Sequence, residues 1–104
     1  MYEVTFTQKA QIELDDFIDW LNEFNPSLAS EYDLDFRKNL RRSVLESPKR
    51  WPYFFLTGSP IRAYLYSVSR RTGYWVVYEV DEENHRVNIL RFWNGSRDPL
   101  KFKL

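Results

Sequence analysis

Two segments of the last third decide how this chain must fold. They are Gly73-Tyr74-Trp75-Val76-Val77-Tyr78-Glu79-Val80 and Val87-Asn88-Ile89-Leu90-Arg91-Phe92-Trp93-Asn94-Gly95-Ser96-Arg97-Asp98-Pro99. The first is apolar at nearly every position, as a central strand covered on both faces is. A polar turn, Asp81-Glu82-Glu83-Asn84, separates it from the second. In the second, strict alternation puts Val87, Ile89 and Arg91 on one side and Asn88, Leu90 and Phe92 on the other. The pair reads as a β-hairpin that ends in a polar turn presenting Arg97 and Asp98.

Upstream, Ile61, Ala63 and Leu65 alternate with Arg62, Tyr64 and Tyr66, a third strand. Ser69 to Gly73 is a turn carrying Arg70 and Arg71. Ser47 to Pro60 holds three prolines and a glycine, so it is a connecting loop. It also carries Trp51, Tyr53, Phe54 and Phe55, and it should pack over an edge of the core.

The first half is helical. Tyr2, Val4 and Phe6 alternate with polar residues as a half-buried strand does. Thr7 is placed to cap a helix from Gln8 to about Phe24, whose apolar stripe is Ala10, Leu14, Phe17, Ile18 and Leu21. Trp20 sits at the margin of that stripe, and Glu13, Asp16, Asp19 and Glu23 occupy other faces, as solubility residues. Asn25 and Pro26 suit the N-cap and first position of a second helix running to about Glu46. Leu28, Tyr32, Phe36, Leu40 and Val44 recur along it every four residues. Arg37, Lys38, Arg41 and Arg42 complement the dipole at its end.

The expected architecture is therefore α+β, in one domain spanning residues 1–104. An N-terminal strand and a two-helix antiparallel hairpin pack on a small, largely antiparallel sheet. Pattern alone does not say where the first strand inserts.

Composition excludes several functions. The 104 residues include no cysteine and one histidine, so disulfides, thiol catalysis and Cys-based metal sites are out. No metal-ligand spacing and no glycine-rich phosphate loop occur, and no cofactor is expected. His85, in a turn, reads as a surface residue. No apolar run approaches a membrane span of about 18 residues, and no signal peptide is visible, so a soluble cytoplasmic protein is expected. The net charge is zero but unevenly spread. Residues 1–36 hold nine acids and one base, while residues 37–104 hold 14 bases and six acids. That asymmetry reads either as faces for oppositely charged partners or as solvated faces that neutralise each other.

What remains for function is arginine among aromatics. Charge is unusual inside a sheet, so Arg62 and Arg91 are expected on a face the helices leave uncovered. Arginine with aromatic rings on an open sheet suits phosphate and base contacts, or an acidic peptide. The plain alternative is that each arginine pairs with a local acid, Arg97 with Asp98 or the Glu79 to Glu83 cluster.

The chain as a whole resembles the RelE/ParE superfamily of type II toxins, closer to its ParE-like members. The resemblance rests on the order of elements and on Gly73 to Val80, Ile89-Leu90-Arg91-Phe92 and Asn94-Gly95-Ser96-Arg97-Asp98-Pro99. It implies a toxin neutralised by a cognate antitoxin; the basic part of this chain adds the expectation that the antitoxin's C-terminal segment is acidic and amphipathic on the side that meets Arg62, Arg91 and Arg97. RelE-like members cleave messenger RNA on the ribosome without a metal, using basic and aromatic groups. Arg97 falls where such enzymes have an arginine, and Arg62 where they have a basic residue. Trp75 replaces their central-strand arginine, Tyr64 their second basic residue, and Phe102 the C-terminal tyrosine of some members. Trp93 stands two residues before Gly95 in a segment where ParE-like members usually have histidine before the glycine. These departures favour the ParE-like reading, in which the toxin binds DNA gyrase. The alternative is a RelE-like, metal-independent endoribonuclease that cleaves messenger RNA on the ribosome, or a non-toxic binding module of the same fold. The residues expected to meet antitoxin or target are Arg62, Tyr64, Trp75, Arg91, Trp93 and Arg97.

Overall fold

The alternation of Tyr2, Val4 and Phe6 ends at Thr7 because the Thr7 side chain begins a helix there. In the structure, a computed structural model, β1 spans Glu3–Phe6 and α1 spans Gln8–Phe24. The structure describes residues 1–54, 60–70, 72–97 and 99–103, and of Pro99 the backbone alone. Thr7 Oγ1 accepts from Ala10 N at 3.2 Å and donates to Leu90 O at 2.8 Å. One hydroxyl thus caps the helix and ties its start to the sheet.

Asn25 ends α1 and starts α2, Pro26–Leu40, with its side chain accepting from Ser27 N and Leu28 N. Pro26 takes the first helical position, as expected. The second helix does not stay regular to Glu46. It passes at Arg41–Leu45 into a wider π-type turn, closed by Glu46 N donating to Arg41 O, five residues back. The four-residue spacing of its apolar side chains explains this. Steps of four overshoot a 3.6-residue turn, so the stripe drifts. The wider turn lets both Val44 and Leu45 be buried.

Three further strands follow: β2 (Arg62–Ser67), β3 (Gly73–Asp81) and β4 (Arg86–Asn94). The sheet order is β1-β4-β3-β2. β2, β3 and β4 run antiparallel, and β1 lies parallel against β4 from Glu3↔Arg86 to Phe6↔Ile89. The fold is α+β, with the helical hairpin on one side of a mostly antiparallel sheet.

That side holds the main core. Leu14, Phe17, Leu21, Phe36, Leu40 and Val44 meet Tyr64, Tyr66, Val76, Tyr78, Ile89 and Phe92. The tyrosines are buried because each phenol finds a partner. Tyr64 donates to Asn39 Oδ1 at 3.3 Å, Tyr66 to Asp35 Oδ2 at 2.7 Å, and Tyr78 to Pro48 O. Burial pushes the Tyr66 and Tyr78 phenols far above the usual tyrosine range, and the Asp35 contact adds to the effect at Tyr66. A smaller cluster of Phe54, Ile61, Ala63 and Val77 packs on the opposite, rear face. The loop after α2 does pack on the core, through Trp51 and Phe54; Phe55 lies outside the described residues.

Strict alternation fails in β4. Val77 pairs with Arg91 but Tyr78 pairs with Ile89, which leaves Leu90 as a bulge. Past it, Phe92 joins Val87 and Ile89 in the helix-side core, and Arg91 faces the rear with Val77. Without the bulge, Arg91 would be pushed into the apolar layer under the helices.

The Thr7 contacts predict a measurable cost. Thr7→Val should destabilise the protein by about 1–2 kcal/mol in urea unfolding, while Thr7→Ser should retain most of the stability.

Candidate functional site

β1 stops pairing at Ile89, where Thr7 N donates to Ile89 O. Beyond that point, among the described residues, the outer edge of β4 has no strand beside it. Helix α1 covers it instead, and Glu13 supplies what a strand would have. Its Oε1 accepts from Phe92 N at 3.1 Å and from Arg91 Nε at 2.8 Å, and its Oε2 accepts from Arg91 Nη2 at 2.8 Å. This is a two-pronged guanidinium–carboxylate pair, with the side chains 11% and 18% exposed. Glu13 is therefore a structural partner rather than a solubility residue. Its role depends on the parallel placement of β1 and on the bulge, neither of which the helical pattern reveals.

Arg91 also donates to Lys103 O and lies over the Trp93 and Phe102 rings, 4.9 and 5.5 Å from their centroids. The chain after the short helical turn Pro99–Lys101 thus returns over the rear face. Phe102 meets Phe54 at 5.0 Å and Trp93 at 5.3 Å. Trp75 pairs with Trp93 across the strands and meets Phe54 at 5.6 Å. Arg97 is exposed, with its guanidinium 4.5 Å from the Trp93 ring centroid. Asp98, its expected partner, lies outside the described residues.

Of the six predicted site residues, Trp75, Arg91, Trp93 and Arg97 come together on the rear face, although Trp93 is buried. Arg62 and Tyr64 do not join them. They share the register of Tyr66 and Tyr78 on the helix side, which corrects the expectation that Arg62 would lie on an uncovered face. Arg62 Nη1 donates to Trp51 O at 2.6 Å, and its guanidinium lies 4.4 Å from the Tyr53 ring centroid. Tyr64 is buried, with its ring 4.9 Å from Trp51. The roles that sequence reasoning missed are those of Glu13 as the partner of Arg91, Tyr53 as the ring beside Arg62, and Phe102 as a ring packed on the rear face. Phe102 carried a visible signal, an apolar residue between two lysines at the end of the chain. His85 takes a left-handed backbone conformation (φ 52°) in its turn and stacks on Tyr2 at 3.8 Å. Among the described residues, no group of acids and histidine could hold a metal ion.

Breaking a half-dry ion pair is costly because the surviving charge keeps its desolvation penalty. Glu13→Ala and Arg91→Ala should each destabilise by about 3 kcal/mol. A double-mutant cycle in urea should show the double variant losing less than the sum, by about 1–3 kcal/mol. Additive losses would mean the two side chains act separately.

A family model for the ParE toxin of the parDE type II toxin–antitoxin system matches residues 4–99. Among solved structures, a chain of the chromosomal ParDE toxin–antitoxin system from P. aeruginosa shares the fold. The TM-score is 0.60 at 19% identity, covering 88% of this chain and 94% of that one. A search of curated proteins finds no significant match. The order of strand, helical hairpin and three-strand finish thus matches the family across nearly its whole length: the chain belongs to the ParE toxin family of type II toxin–antitoxin systems.

Proposed function

We propose that this toxin arrests growth by binding DNA gyrase, in the cytoplasm, and is neutralised by a cognate antitoxin. The observation that carries the binding mode is the state of the groups a superfamily ribonuclease would need. Trp75 stands where such an enzyme has an arginine, and Phe102 offers a ring with no proton to give. Arg62 is held by the Trp51 carbonyl, and Arg91 is held by Glu13. Tyr64 donates its phenol proton to Asn39 within the fold. These side chains are occupied in holding the fold together, and they do not converge on a point where a phosphate could be attacked. Among the described residues, no helix is long and apolar enough to cross a membrane.

Trp75 and Arg97 form the surface we assign to partner contact, backed by the buried Trp93 and the Glu13-held Arg91, with Arg62 and Tyr64 as a separate, inner pair. An antitoxin with an acidic, amphipathic C-terminal segment suits the exposed guanidinium of Arg97 beside its aromatic neighbours. Arg97 is also the informative residue to reverse. A glutamate at position 91 would face Glu13 and disturb the fold, whereas Arg97 is free of any carboxylate among the described residues.

Expression of the chain alone should stop growth, and co-expression of the adjoining gene should restore it. Purified toxin should inhibit gyrase supercoiling, and Arg97→Glu should weaken the antitoxin complex by about tenfold or more. Untouched gyrase at excess toxin, together with new messenger RNA ends in primer extension, would overturn the gyrase reading in favour of ribosome-dependent cleavage.

A further inference from the structure

Several cationic side chains are committed to partners inside the chain. Arg37 pairs with Asp33, Lys49 with Glu82, Arg86 with Glu3 and Arg91 with Glu13. Arg50 and Arg62 donate to backbone carbonyls. Arg70 and Arg97 differ from these. Both are exposed, and neither meets a carboxylate among the described residues. They also stand at the same end of the sheet, one on the β2–β3 turn and one just past β4.

A cavity of about 260 Å³ opens at that end. Ser67, Arg70, Thr72, Trp75 and Ser96 line it, and among the described residues no carboxylate does. Two glycines shape it. Gly95 N donates to Gly73 O at 2.8 Å, which brings the two backbones together. A Cβ on Gly95 would stand 3.0 Å from that carbonyl oxygen and 3.6 Å from Trp75 Nε1. Glycine there leaves the indole N–H open, and Trp75 Nε1 donates to no described residue. A Cβ on Gly73 would come within 2.9 Å of Leu65 Cδ1.

A wall offering a guanidinium, an indole N–H and hydroxyls, with no carboxylate among the described residues, suits an oxyanion. A phosphate has enough oxygens to engage the guanidinium, the indole and the hydroxyls together. We propose that this cavity binds a phosphate group, with Arg70 as its charged donor and Trp75 Nε1–H as its neutral one. The phosphate comes either as a small anion or as one unit of a nucleic-acid backbone. In the second case Arg97, which meets no carboxylate among the described residues, favours the neighbouring phosphate at the same end. This site does not require gyrase to be the target.

The test uses the indole N–H signals of the four tryptophans in ¹H–¹⁵N spectra, with Trp75→Phe assigning the relevant one. Inorganic phosphate is titrated at constant ionic strength, balanced with chloride. The Trp75 indole signal should shift saturably. Arg70→Gln, an exposed change that leaves the fold intact, should weaken binding by about tenfold or more. Arg42→Gln, on the turn after α2, should leave it unchanged. A short single-stranded DNA is the second ligand. Tighter, strongly salt-dependent binding assigns the site to a strand backbone, and equal or weaker binding assigns it to a small anion. No saturable shift at Trp75, or unchanged binding in Arg70→Gln, overturns the proposal.

Discussion

The contact between Glu13 and the Arg91–Phe92 segment is the constraint on which the rest of the structure depends. β1 is four residues long and leaves the sheet early, so β4 would otherwise present a bare edge. An unpaired strand edge invites pairing with other chains, and a buried amide without a partner is costly. Glu13 meets both needs with one carboxylate. It takes the Phe92 amide as a strand would, and it neutralises the guanidinium that the Leu90 bulge turns outward. The bulge, the early end of β1 and the position of Glu13 on α1 are therefore parts of one arrangement. Thr7 joins them, since the hydroxyl that caps α1 also accepts the task of fixing the Leu90 carbonyl.

Fixing Arg91 in this way shapes the rear face. The guanidinium sits between Glu13 and the returning C-terminal segment, with Trp93 and Phe102 beside it. Phe54 and Phe102 then cover the apolar strip of Ala63, Val77 and Leu90. The Phe54, Trp93 and Phe102 rings thus cover much of the rear face. At the sheet end, Arg70 and Arg97 stand without carboxylate partners among the described residues.

The helices were legible in the sequence because their signals are local. Thr7, Asn25 and Pro26 act within one turn of where they stand, and the stripes of α1 and α2 need no knowledge of the sheet. The β3–β4 hairpin was legible for the same reason, as two apolar runs around a polar turn. The bulge was not, because Leu90 carries no glycine or other mark, and one extra residue exchanges the faces of Arg91 and Phe92. Arg62 was misplaced because its strand is apolar on one side and aromatic on the other. Tyrosines with bonded phenols serve as core, so the helix-facing side was the one that looked polar. Glu13 was unreadable for a different reason. Its partner is fixed only once β1 is known to run parallel to β4.

Hydrogen exchange at the Phe92 amide tests this account most directly. If Glu13 replaces the missing strand, that amide exchanges slowly, like the amides paired within β3 and β4, and becomes fast in Glu13→Ala, which removes the acceptor, while the β3–β4 amides stay protected. A Phe92 amide that exchanges at the rate of an exposed turn in the unaltered protein, or that is unaffected by Glu13→Ala, would contradict it.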